Sequence, residues 1–225
     1  MNKTSLARQL ILCLGSSCTP RYQISRVLFE RQITDAGPFY LGHPRLNELG
    51  LASCFFDWSI TPFGSLTSLL RNDFQGVLLI ENLQVRKTAD GKSMIFDQGT
   101  GISYPHLIDE NLHPLRCEED IVPFYGEIAS KASTLIENTR TILRSKEQSL
   151  YVYCDACDPE NLLYLTKVLD AWSDNYQLLF VHTPEDTSAG CNQPDLPEKV
   201  IYQRLPLRAY PGVDSEWNQL FDSLI

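Results

Sequence analysis

The chain has 225 residues, 43% of them hydrophobic, enough to bury a substantial core within one domain. Its formal net charge of -9 has the wrong sign for broad engagement of nucleic-acid phosphates, which needs a basic face, so nucleic acid is not an expected partner. Seven cysteines, an odd number at low density, fit free thiols in a reducing compartment better than a disulfide framework.

The N-terminal stretch MNKTSLARQLILCLGSSC sets basic residues before an apolar run. That run, Leu10 to Leu14, is only five residues, short for a signal-peptide core, and no later stretch approaches membrane-spanning length. A cytoplasmic protein with no membrane partner is expected. Gln9 to Leu14 reads as a strand, Gly15 to Cys18 as a loop, and Pro20 to Gln32 as a helix with Thr19 as its N-cap and Ile24, Val27 and Leu28 on one apolar face. Thr34 to Pro62 is irregular and aromatic; within it ASCFFDWSITPF reads as a tight, partly buried segment. Gly64 to Asp73 reads as a short helix carrying Leu66, Leu69 and Leu70.

From Gly76 to Ser103 extended runs flank Asp90-Gly91, a hairpin signal, so antiparallel strands are expected there. Tyr104 to Asp120 reads as loop. A long helix from Val122 or Pro123 to Ser145 follows, with Ile128, Ala132, Leu135, Ile136, Thr139 and Leu143 at helical spacing. The last third reads as strand (SLYVYCDA), helix (PENLLYLTKVLDAWS), strand (YQLLFVHT), an acidic loop from Glu185 to Glu198, strand (KVIYQRL) and a final helix (SEWNQLFDSLI). Strands separated by a helix imply parallel pairing through a right-handed crossover. The expected fold is α/β: one domain over 1–225, three-layered, mainly parallel, with 76–120 as a small antiparallel β and loop insertion. A papain-like α+β arrangement is the alternative.

In such a sheet, the loop after a strand opens on the crevice at the strands' carboxyl ends, and Cys18 lies there just before a helix N-terminus. That position favours negative charge and lowers a thiol's pKa, which marks Cys18 as a nucleophile candidate; a small buried hydrophobe is the competing reading. LGSSCTPRYQISR, with FFDWSITPF and YPHLID, resembles a bacterial family described as papain-like cysteine peptidases, a domain of unknown function. The resemblance rests on Leu14, Gly15 and Cys18, then Phe56, Asp57 and Trp58, and on His106; the family more often has Pro where this chain has Phe55. It implies a cysteine-dependent hydrolase or acyl transferase acting on a peptide, acyl or glycan substrate, with Cys18 attacking and a histidine moving the proton.

Of four histidines, His106 matches the family's; His182, at the carboxyl end of LLFVH, is the other base candidate and otherwise a substrate contact. Asp57, among aromatics, either orients His106 or caps the turn from Ser59 to Pro62. Trp58 either walls a substrate pocket or belongs to the core. Ser16 and Ser17 are expected to contact substrate. The non-catalytic alternative is that the Gly15 to Cys18 loop holds a phosphate, carboxylate or glycan through backbone N–H groups.

The chain has no GxGxxG or GxxxxGK[ST] motif, and no cofactor or metal is expected. Cys154 and Cys157 have CxxC spacing, and His113 with Cys117 offers a possible second pair of zinc ligands, but the acidic context and strand order disfavour redox or zinc use. LCLGSS resembles the serine strand of SGNH-type esterases, whose Asp-x-x-His partner is missing here.

Overall fold

Runs of apolar residues that stay buried on both faces form the central sheet. In the computed structural model the described residues are 10–32, 53–88, 91–108, 114–155, 159–183, 195–206 and 213–224. Strands β1 (Leu10–Cys13), β5 (Ser149–Asp155), β6 (Tyr176–His182) and β7 (Val200–Arg204) make a four-stranded sheet in the order β1-β5-β6-β7, every neighbouring pair parallel. Every residue of β5 but Asp155 is buried, as expected of a parallel strand covered on both faces.

Helices cover both faces. Ile11, Cys13, Val152, Cys154, Leu179 and Val181 pack against Ile24 and Val27 of α1 (Thr19–Gln32) and against Trp217, Leu220 and Phe221 of α5 (Asp214–Leu224). On the other face Leu12, Tyr151, Tyr153 and Phe180 share one core with α2 (Phe63–Arg71), α3 (Tyr125–Leu143) and α4 (Pro159–Asp170). This is the expected three-layer α/β arrangement, not a papain-like α+β one.

The small antiparallel sheet is β2 (Leu83–Lys87), β3 (Ser93–Asp97) and β4 (Ile102–Tyr104) in sequence order. Its Leu83, Ile95, Ile102 and Tyr104 belong to the same core as Leu12 and Tyr153, so the 76–120 segment is welded to the domain rather than appended to it. Asp90 of the expected hairpin lies outside the described residues; Gly91 has φ +83° and donates to the Thr88 carbonyl, as a tight turn requires.

Three boundaries differ from those the sequence suggests. Helix α1 starts at Thr19, not Pro20, and Tyr22 N–H donates to the Cys18 carbonyl, which makes Cys18 the N-cap rather than Thr19. The expected helix from residue 122 is a 3-10 turn (Val122–Phe124), with Pro123 in its first turn, before α3 begins at Tyr125. The aromatic segment is a 3-10 turn, Phe55–Trp58.

That turn is docked on α3 by one side chain. Thr139, fully buried, accepts the Phe55 N–H at 2.9 Å through Oγ1 and donates to the Leu135 carbonyl at 2.8 Å. Thr139→Val keeps the shape and orphans a buried N–H, so it should destabilise the fold by about 1–3 kcal/mol; a denaturant midpoint equal to that of the wild type would exclude this role.

Candidate functional site

The chain leaves β1 toward the α1 face and leaves its neighbour β5 toward the α4 face. Connections that diverge from adjacent strands open a crevice at their carboxyl ends, and the loop from Gly15 to Cys18 stands there. Gly15 has φ +87°, and a Cβ on it would lie 2.9 Å from Thr61 Cβ, so both its conformation and its room require glycine. Ser16 follows at φ +65°, a left-handed conformation that costs a non-glycine residue roughly 1–2 kcal/mol. Its hydroxyl donates to the Cys154 carbonyl, and Ser17 Oγ accepts the Thr19 N–H at 3.3 Å. The backbone N–H groups of Gly15, Ser16, Ser17 and Cys18 have no acceptor among the described residues.

Cys18 is 6% exposed, and burial, reinforced by the nearby Asp57 carboxylate, pushes its thiol up to about 12. The expected lowering by the helix terminus is overridden. At pH 7 the thiolate is then on the order of one part in 10⁵. Desolvation of a sulfur packed beneath Asp57's segment outweighs a dipole at the loop's end.

Asp57 is 1% exposed and its partners lie on either side of the turn. Oδ2 accepts the Cys54 N–H at 2.7 Å and sits 3.5 Å from Arg21 Nε of α1, an equally buried guanidinium. Burial raises the Asp57 pKa, with Arg21 and then the Cys54 N–H opposing it. Asp57 thus caps the turn that contains it, not the Ser59 to Pro62 turn, and the partners its carboxylate has do not include His106. Oδ1 has no hydrogen-bond partner among the described residues.

His106 follows β4 and meets Trp58 edge to face, ring centroids 6.0 Å apart, at the mouth of a pocket that also includes Phe55, Tyr104, Lys131 and Leu135. Trp58 lines a cavity of only about 20 Å³ there, water-sized rather than substrate-sized. Partial burial, then the charges of Lys92 and Lys131, lower the His106 pKa from its ordinary 6.5. So Asp57 lies beside Cys18 while His106 lies over Trp58, the next residue along.

His182 is elsewhere. The register sets Asp155 beside His182 and His182 beside Arg204 across the carboxyl edge of β5, β6 and β7, and Ser16 reaches the same end of β5 through the Cys154 carbonyl. His182 Nδ1 is 2.5 Å from the Tyr202 hydroxyl and its ring stacks on Phe180 at 5.7 Å, while the Tyr153 hydroxyl donates to Asp155. Sequence reasoning found His182 but missed Asp155, Tyr202 and Arg204; Asp155 and Arg204 each end a strand, the position that could have marked them, while Tyr202 lies two residues before the end of its strand.

Cys154 is buried at the end of β5, Cys117 is exposed, and Cys157, His113 and His43 lie outside the described residues. Among the described residues no group of three or more His, Cys, Asp or Glu side chains is placed to hold a metal ion, and no helix is long and apolar enough to cross a membrane. Comparison of the chain with protein-family models, curated proteins and solved structures finds no match. The fold is that of a three-layer α/β protein, with the Gly15 to Cys18 loop, Asp155, His182 and Arg204 at the carboxyl edge of its sheet.

The His106 environment fixes a titration. Its midpoint should lie below 6.5, and Lys131→Gln should move it upward by removing a like charge. Because the folded state resists protonation here, His106 contributes stability that is present above its unfolded value and lost as pH falls below it. An NMR midpoint at or above 6.5 in the wild-type protein would contradict this account of the pocket.

Proposed function

We propose that the Gly15 to Cys18 loop holds the anionic or hydroxyl-rich group of a small ligand, a phosphate, carboxylate or glycan, without covalent chemistry at sulfur. The observation that carries the reading is the run of four consecutive backbone N–H groups with no acceptor among the described residues, at the N-terminus of the 14-residue α1. Gly15 and Cys18 are buried, and a buried N–H needs a partner. The state of the thiol agrees: a neutral sulfur beside Asp57 neither repels an anion nor attacks an acyl carbon. Farther along the same carboxyl edge stand Asp155, His182 and Arg204, of both charge signs.

A specific observation favours a second reading, the cysteine-dependent hydrolase or acyl transferase that the family resemblance implies. His106 is held neutral, the form a general base needs, and the Trp58 it touches follows the carboxylate beside Cys18. In that reading substrate binding strips Cys18 of its cover and His106 accepts its proton as the sulfur attacks a peptide or acyl carbon.

Alkylation and binding separate the two. Under mild iodoacetamide at pH 7 the exposed Cys117 should react well before Cys18, and Cys18→Ser should change the affinity for inorganic phosphate or glucuronate less than about twofold. Labelling of Cys18 ahead of every other thiol, with loss of hydrolysis of a thioester probe in Cys18→Ser, would replace the binding reading with the catalytic one.

A further inference from the structure

The ends of three helices converge on a groove of about 680 Å³ far from the Cys18 loop in the chain, within the range of small-molecule sites, roughly 300–1,000 Å³. Arg71 is the last residue of α2, Arg144 the C-cap of α3, and Lys167 lies in the last turn of α4; all three line the groove, with Asp73, Tyr164 and Trp172. Cations at helix C-termini complement the dipoles, which accounts for one positive side chain per helix. It does not account for their meeting around one open cavity in a chain of net charge -9.

The cations are also poorly neutralised. Arg71 Nη1 donates to the Tyr164 hydroxyl at 2.9 Å, a neutral partner. Arg144 lies 5.1 Å over the Trp172 ring and reaches Asp73 at 3.4 Å, but Asp73 is already engaged by Arg140 at 2.7 Å. Lys167 has no carboxylate partner among the described residues. The ring and hydroxyl hold two guanidiniums in place; Arg71 has the neutral Tyr164 hydroxyl and Arg144 shares Asp73 with Arg140, so the groove's cations outnumber its carboxylate and suit phosphate oxygens. Trp172 is itself fixed by its Nε1–H donating to the Leu70 carbonyl at 2.9 Å.

We propose that this groove binds a small polyphosphorylated molecule, with Arg71, Arg144 and Lys167 contacting its phosphates. The assignment is independent of the Gly15 to Cys18 reading. Several phosphates suit it better than one, because three cations on three helices surround a cavity larger than a single phosphate fills.

Calorimetric titration of the full chain with inorganic tripolyphosphate at low ionic strength tests it. Binding should weaken about tenfold in Lys167→Gln and in Arg71→Gln, both exposed and outside the core, and should be unchanged in Arg86→Gln, an exposed cation of β2 outside the groove. Thermal melting in the absence of tripolyphosphate checks that both variants are folded. No binding at millimolar tripolyphosphate, or an effect below about threefold in both groove variants, overturns the proposal. An equal loss in Arg86→Gln would mark general attraction to surface cations and also overturn it. Tighter binding of a single-stranded oligonucleotide through Arg71 and Lys167 would replace the small molecule with nucleic acid.

Discussion

The buried pair of Arg21 and Asp57 joins two layers that the sheet otherwise keeps apart. Arg21 belongs to α1, which covers one face, while Asp57 sits in the turn whose Phe55 and Phe56 fill the core on the other. The two meet beside β1, an edge strand among the described residues, and strand edges must be managed. Around this pair the 54–61 segment is fixed from three sides: the Cys54 N–H binds Asp57, the Phe55 N–H binds Thr139 of α3, and Ile60 bridges to Ser103 of β4. Gly15 then presses against Thr61. A guanidinium and a carboxylate both nearly without solvent are costly to bury, and removing either one typically costs more than the pair contributes, roughly 3–5 kcal/mol. The loop conformation at the candidate site is downstream of this clasp.

The same carboxylate acts on three thiols. Cys13, Cys18 and Cys54 are all buried, and in each the pKa is raised first by burial and next by Asp57. Neutralising Asp57 would leave the larger burial effect in place, so the thiols stay protonated either way. Chemistry at Cys18 would require exposing its buried sulfur to solvent or substrate, against the burial that holds it protonated. Backbone N–H groups need no such rearrangement, and that difference is what places ligand binding ahead of covalent catalysis here.

Much of the fold was legible in the chain because its signals are local. The unbroken apolar runs of β5 and β6, with Pro159 opening a helix between them, announce parallel strands buried on both faces. Cys18 at a strand-to-helix loop was equally plain. The sign of its pKa change was not, since that depends on residues about 40 positions later folding over it. Asp57 carried the visible warning that an acid among aromatics needs a partner, yet the partner, Arg21, stands in α1 where no spacing rule connects them. Arg71, Arg144 and Lys167 read separately as ordinary helix-end cations; only the docking of α2, α3 and α4 sets them around one cavity.

Charge distribution then gives the molecule its functional contrast. A chain of net charge -9 repels anions at long range, so a site for them must concentrate donors locally and shelter them from screening. The two anion-favouring places do this by different means. At the loop the donors are backbone N–H groups fixed by Gly15 and Ser16 in left-handed conformations, with strain of roughly 1–2 kcal/mol at Ser16 held by the surrounding packing. At the groove they are side chains, Arg71 held by a phenol and Arg144 by an indole, with the single Asp73 carboxylate shared between Arg144 and Arg140. Backbone donors select for size and shape because they cannot move, whereas cations on three separate helices tolerate a range of phosphate spacings. If both places bind as proposed, the loop is the more selective of the two and the groove the more sensitive to salt.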